Sequence, residues 1–404
     1  ILHTSVSTRF KEYISTCQLN IILDAEFDPE GICQFVTSDS AQLKLLSELS
    51  IEGFLQAPQV EQICHFLISN KAPNLSRLDI KIAVDDAGDA PIESFFKALA
   101  AGSCGNLLDL DISESYIGEF GAVELATVMR NGHLAKLENL NLSLNQMEPR
   151  GARMIGKALA TSCCPHLQQL HLKRNATSDG IEILLNEGLE GTKSLEVLQL
   201  SQNNFEGNSL NHFSRALSMK KHSCLQVLDF SMNNLGDAAL AKLVTSFPTF
   251  PALPLRELYL CDVNGAEELA NCLGEAIERG ALPSLAVLDA SYNKITDIGI
   301  EGLAKGISSN KSPRFEILRF ANNRIGNKGM HKFANLVTAG DMHSFKELIF
   351  SANRASDVKH MVQVISMHHS KVPKLTLLDV QGNDPSAGTF MKKWKIKGRI
   401  QVLV

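Results

Sequence analysis

Aromatic residues are scarce in this chain of 404 residues, which has one tryptophan (Trp394), four tyrosines and an aromatic share of 6%. A core with so few rings must be filled by aliphatic side chains, mostly leucine, and that points to a repeated packing unit. Long apolar runs are missing as well: no stretch of eighteen apolar residues occurs, so no segment reads as a membrane span. A strong charge of either sign is also absent. The net charge of −5 is mild, which excludes a bulk electrostatic nucleic-acid binder. The nine cysteines are odd in number and include no Cys-x-x-Cys pair or metal-like histidine spacing. They read as reduced packing residues of an intracellular protein, cytoplasmic or nuclear. The first residue is Ile1 and not methionine, which reads as a fragment or a processed form.

Catalytic signatures are equally sparse. Neither a His-Glu-x-x-His nor a Gly-x-Ser-x-Gly motif is present, and His368-His369 falls near the end of an expected helix. Residues 151–157 fit the glycine-rich half of a phosphate-binding loop, but Ala158 stands where the magnesium-binding hydroxyl belongs. The same stretch also aligns with ordinary helices at 121–129 and 299–305. The sequons at Asn74, Asn141, Asn175 and Asn310 read as chance, because Asn141 falls inside an expected strand. No enzyme activity, cofactor or metal is expected.

What the chain does have is a repeat. Leu-x-x-Leu-x-Leu-x-x-Asn occurs at Leu137–Asn145, Leu167–Asn175 and Leu195–Asn203. Degenerate copies begin at Leu225, Leu285, Phe315, Phe345 and Leu375, and weaker ones at Leu46, Leu75, Leu107 and Leu255. A strand near Ile21 makes about thirteen units of 28 to 32 residues, and from Leu195 to Leu375 the first apolar position recurs every 30 residues. After each motif comes Gly or Ala and an apolar stripe at helical spacing, as in Gly151-Ala152 with Ile155, Ala158 and Leu159. Each unit therefore reads strand, turn, helix, return loop. Parallel strands sit about 4.8 Å apart, whereas packed helices need roughly 8–10 Å. Stacking both predicts a right-handed α/β solenoid curved into a horseshoe, with a parallel sheet on the concave face and helices on the convex face. The repeated asparagine is expected to bond backbone groups where the chain leaves the strand.

The motif and its phase resemble the ribonuclease-inhibitor-like leucine-rich-repeat family, which includes ribonuclease inhibitor, the repeat regions of NOD-like receptors and the Ran GTPase-activating protein. The resemblance covers residues 18–385 and implies a non-catalytic protein-binding scaffold that works mainly through its concave face. Residues 1–17 read as an N-terminal cap or flank. Residues 386–404 read as a C-terminal cap, with Trp394 plugging the last core and a short strand ending the sheet. Two irregular segments, 85–91 and 248–254, read as tolerated insertions. The Ran-activating member implies a loop arginine, for which Arg150, Arg174, Arg324 and Arg354 are candidates; this makes a GTPase regulator one alternative. A chromatin or replication-repair scaffold like the C-terminal repeats of the tonsoku family is another.

Strand alternation decides which side chains face the hollow. The N-terminal strands gather acid there, at Asp79, Asp109 and Asp111. In the middle strands Asp229, Glu257, Asp262 and Asp289 surround Tyr259, Tyr292 and Met232. A tyrosine among carboxylates has the character of an interface anchor and suits a protein partner with a Lys/Arg-rich segment. The plainer reading is that an exposed sheet face needs polar residues. Neither a small-molecule substrate nor a membrane is expected as a partner, nor is direct nucleic-acid binding.

Overall fold

A strand with one face against helices and the other open must bury alternate residues, and this chain does so at minimal length. In the computed structural model, residues 19–24, 41–83, 89–101, 104–175, 180, 184–185, 187–204, 206–218, 224–309, 311, 315–340, 342–383, 393–396 and 399–403 are described. The expected N-terminal cap (1–17) and most of the acidic insertion (residues 84–88) lie outside them.

The chain divides into two compact units, Ile1–Val197 and Leu198–Val404. In the first, β1 (Leu19–Asp24), β2 (Leu46–Leu55), β3 (Arg77–Ile82), β4 (Asp109–Asp111), β5 (Asn139–Asn141) and β6 (Gln169–His171) pair in parallel, each with the next. Helices Ala57–Ile68, Ala90–Ala101, Gly118–Arg130 and Glu148–Ala160 follow their strands. The strand β7 (Val197–Gln199) lies where the first unit ends and the second begins. In the second unit β8 (Val227–Asp229), β9 (Glu257–Tyr259), β10 (Val287–Asp289), β11 (Ile317–Arg319), β12 (Glu347–Ile349) and β13 (Leu377–Asp379) pair the same way. Their helices include Asp237–Thr245, Glu267–Glu278, Asp297–Ile307, Asn327–Ala339 and Val358–Met367. The architecture is an α/β leucine-rich-repeat solenoid.

From β4 to β13 every strand has three residues, with the central leucine fully buried and its neighbours half-buried. Each central leucine contributes roughly 1.5–3 kcal/mol relative to exposure. Toward the C-terminus phenylalanine takes over the outer leucine positions, and the rings stack between repeats: Phe320 on Phe350 and Phe315 on Phe345, each with centroids 5.9 Å apart. Residues 151–157 lie within the helix Glu148–Ala160, as the repeat alignment requires of the false phosphate-loop match.

The repeated asparagine does more than cap its own turn. Asn293 donates to the carbonyls of Ala290 in its own repeat (3.1 Å) and Leu260 in the preceding one (2.7 Å). Its Oδ1 accepts from the backbone N–H groups of Val263 (3.2 Å) and Gly265 (2.8 Å). Asn145 makes the same four bonds in the first unit, and Asn353 and Asn383 follow the pattern in the second. Four of the described repeats lack the amide, with Phe54, Ala83, Ser115 and Val263 at its position. Ser115 substitutes with a shorter hydroxyl, which accepts from Ile82 N–H at 3.1 Å. Val263 offers nothing polar at all.

The residue just before the asparagine is held in the left-handed region in successive repeats. Glu114, Leu144, Arg174, Gln202, Met232, Asp262, Tyr292, Asn322 and Ala352 all have φ between 53° and 60°, and glycine takes this place at Gly53 and Gly382. Such backbone costs a non-glycine residue on the order of 1–2 kcal/mol. The bridging amides hold the turn against that cost.

At the C-terminus β15 (Ile400–Leu403) extends the sheet parallel to β13, and β14 (Lys393–Ile396) adds antiparallel to β15. The expected closing strand is present, with a second outside it. Arg399 is not part of a free basic patch, because its guanidinium donates to the carbonyls of Val372 and Pro373. The side chain of Trp394 lies outside the described residues.

Replacing Asn293 by alanine orphans four buried backbone groups at about 1–3 kcal/mol for each that water cannot reach. We expect urea unfolding to register a loss of roughly 2–4 kcal/mol, against less than about 0.5 kcal/mol for Asn335→Ala on the exposed side of its helix.

Candidate protein-binding face

Because the strands pair without slippage, residues 30 apart share a row on the open face of the sheet. In the second unit the row after the buried leucine reads Asp229, Tyr259, Asp289, Arg319, Ile349 and Asp379. Tyr259 is thus flanked across both neighbouring strands by carboxylates. Its hydroxyl donates to Glu257 Oε2 on its own strand at 2.8 Å. Burial, and then that bond, raise the phenol to about 12. Beside it the Cys261 thiol is also pushed up to about 12, first by burial and then by the negative fields of Asp289, Asp262 and Asp229. The three acids therefore act on one point, as the sequence places them. Arg319 closes the row and pairs with Glu347 at 3.1 Å.

A second row, at the strand exit, carries Met232, Asp262 and Tyr292 in consecutive repeats, all in left-handed backbone. Met232 is 48% exposed and Tyr292 58%. Glycine would relieve the backbone here, yet large apolar side chains stand in water.

The aspartates of the first row have a duty within the fold that sequence reasoning missed. Asp229 Oδ1 accepts from Ser231 N–H, and Asp289 Oδ1 from Ser291 N–H, both at 2.9 Å. Asp111 holds Ser113 N–H in the same way and Asn141 holds Ser143 N–H. These are Asx turns that end the strand. The signal was present in the repeated Asp-x-Ser, where only surface polarity was read. Each carboxylate keeps one oxygen outside the turn.

In the first unit the predicted acids share a surface but are largely engaged. The row reads Ser50, Asp79, Asp111, Asn141 and His171. Ser50 donates to Asp79 at 2.9 Å, Asn141 donates to Asp111 Oδ2 at 2.8 Å, and Arg77 stands 3.8 Å from Asp109. Burial is the main cause that raises the Asp79 carboxyl, and the neighbouring Asp111 adds to it. The second unit therefore holds the less satisfied negative surface.

The candidate loop arginines do not form a set. Arg150 sits inside the helix Glu148–Ala160 and pairs with Glu119 at 2.8 Å, a correction to its expected loop position. Arg174 holds the left-handed place before Asn175. Arg324 and Arg354 share the strand-exit edge of the second unit with Lys294. Among the described residues no group of three or more metal-ligating side chains converges, and no helix is long and apolar enough to cross a membrane.

Two outcomes follow for the tyrosine row. Asp289→Ala removes a turn acceptor and is expected to cost about 1 kcal/mol in thermal unfolding, whereas Asp289→Asn keeps it and costs almost nothing. In a difference titration of wild type against Tyr259→Phe, one phenol ionises near 12, and Glu257→Gln moves it down. With its folded value raised, Tyr259 contributes stability that is complete below the ordinary tyrosine range and is lost as pH rises through 12.

Comparison with known proteins agrees with this geometry. Leucine-rich-repeat family profiles described as "Leucine Rich repeat" and "Leucine Rich Repeat" match residues 133–156, 221–244 and 281–304, and residues 194–216, respectively. Human "NACHT, LRR and PYD domains-containing protein 12" is 26% identical over 66% of this chain and 24% of its own length. Pig ribonuclease inhibitor is 24% identical over 66% of this chain and 62% of its own length. Bovine Tonsoku-like protein is 27% identical over 56% of this chain and 16% of its own length. The chain thus spans less than two thirds of each of these relatives. Matched profiles, relatives and thirty-residue strand–helix units together make these units leucine-rich repeats, similar to those of ribonuclease-inhibitor-like proteins.

Proposed function

We propose that the chain is a non-catalytic binding scaffold that holds a protein partner on the open sheet face of its second unit, and that the partner presents a Lys/Arg-rich segment there. Leucine-rich-repeat proteins generally act in protein–protein interaction, and ribonuclease inhibitor is by name a protein that engages another protein. The observation that carries the reading is the row Asp229–Tyr259–Asp289 beside exposed Met232, Asp262 and Tyr292. A tyrosine of two rotatable bonds is an economical anchor, and the carboxylate oxygens outside the turns accept from lysine or arginine. The exposure of Met232 and Tyr292 supports the same reading, since apolar side chains stand in water there. The partner binding at Asp79, Asp109 and Asp111 is secondary, because Ser50, Arg77 and Asn141 already occupy those carboxylates. The setting we propose is intracellular, where the cysteines stay reduced.

A photo-crosslinking side chain placed at Tyr259 tests this against one placed at Lys332 on the helix face. Adducts with a partner protein are expected from position 259 and not from 332. In parallel, a labelled Lys/Arg-rich peptide should lose about tenfold in affinity for Asp229→Asn/Asp289→Asn, the conversion of roughly 1.4 kcal/mol from two lost charge contacts. Adducts from position 332 alone, or unchanged peptide binding, would overturn the reading.

A further inference from the structure

The strand-exit edge of the second unit carries a feature of opposite sign. Two residues beyond the left-handed position, successive repeats place Asn234, Asn264, Lys294, Arg324 and Arg354. They line an open depression of about 670 Å3 together with Tyr292, Asn322 and Asp262. The backbone is laddered here too: Lys294 N–H donates to Gly265, Arg324 N–H to Ile295 and Arg354 N–H to Ile325, at 2.8 to 2.9 Å. The backbones of the three cationic residues are therefore about 4.8 Å apart, one strand spacing per step.

Some cations of this chain meet carboxylates of neighbouring repeats: Arg150 meets Glu119, Lys332 meets Glu301, Lys346 meets Glu316 and Arg319 meets Glu347, all at 2.7 to 3.1 Å. The strand-exit cations stand side by side without such a partner. All three cations are exposed, and among the described residues none is in an ion pair. Lys294 has only the amide of Asn264 as a side-chain partner. The next position of the row, Asp384, lies outside the described residues. Oδ1 of Asp297, just beyond Lys294, accepts from both Gly326 N–H and Gly329 N–H. Three like charges in a row repel one another, and among the described residues no ion pair offsets them.

We propose that Lys294, Arg324 and Arg354 form a docking strip for a short acidic segment of a protein, bound in extended form across the strand exits. An extended chain brings alternate side chains to one face about 6.6–6.8 Å apart, so carboxylates at i and i+2 fall within the roughly 10 Å spanned by the strip. Guanidinium groups take carboxylates in paired hydrogen bonds, and the amides of Asn234, Asn264 and Asn322 can bond the segment's backbone. A longer polyanion such as single-stranded nucleic acid fits less well. Beyond the three cations it meets Asp262 and the acidic sheet face of the same unit. The strip stands independently of the binding reading for Tyr259.

The test is fluorescence anisotropy on the full chain at low salt, with a labelled peptide of alternating glutamate and serine. A lysine–serine peptide and an oligothymidylate of equal charge serve as comparison probes. The glutamate peptide is expected to bind better than the oligothymidylate and to weaken with salt. Binding should fall about tenfold or more in Lys294→Gln/Arg324→Gln/Arg354→Gln and stay unchanged in Asp229→Asn/Asp289→Asn. The triple variant should unfold at the same temperature as wild type or higher, because repulsion is relieved. Wild-type affinity in the triple variant, tighter binding of the oligothymidylate, or a clear drop in its melting temperature would each overturn the proposal.

Discussion

Wherever a three-residue strand ends, its backbone groups must find partners without another strand turn to supply them. In most repeats of this chain one buried amide side chain does the work, accepting from two N–H groups of the previous repeat and donating to carbonyls of both. Since the amide reaches across the repeat boundary, it fixes the register of neighbouring units as well as the turn of its own. The invariant phase of 30 residues from Leu195 to Leu375 is the sequence-level trace of that geometry. The left-handed residue before each asparagine follows from it, because the chain has to reverse at once to bring the amide inward.

That constraint also sorts the charged residues. Carboxylates at the strand exit divide between those the fold consumes and those it leaves to solvent. Asp237 and Asp297 each accept from N–H groups at the start of the next repeat's helix, and so supply its missing cap. Asp111, Asp229 and Asp289 give one oxygen to an Asx turn and keep the other outside it. Counting acids along the open face therefore overstates its charge, and the first unit loses more of its count than the second. What is left in the second unit is a phenol and a thiol both held in the neutral form, by burial and by the acids beside them.

Much of this was legible before any coordinates. The buried leucines, the strand of each repeat, the asparagine's backbone duty and the shared row of Asp229, Tyr259 and Asp289 all follow from a period of 30 with side chains alternating across the sheet. Arg150 was misplaced because a loop-to-helix boundary shifts by a residue or two without changing the apolar pattern. The Asx turns were hidden for another reason: an aspartate that bonds its own backbone and one that faces water look alike in sequence. The cation row could have been found by writing the repeats beneath one another, where Asn, Asn, Lys, Arg and Arg fall in one column. It was passed over because arginines were weighed singly as catalytic candidates and not as neighbours.

Hydrogen exchange on the intact chain measures the central claim, that inter-repeat amides hold the strand exits. The N–H groups of Val263, Gly265, Ile295 and Ile325 are accepted by asparagine side chains, whereas Asn233 and Leu235 stand opposite Val263, whose side chain has no acceptor to offer. The account predicts exchange that is slower by orders of magnitude at the first four than at the last two. Equal protection at all six would contradict it.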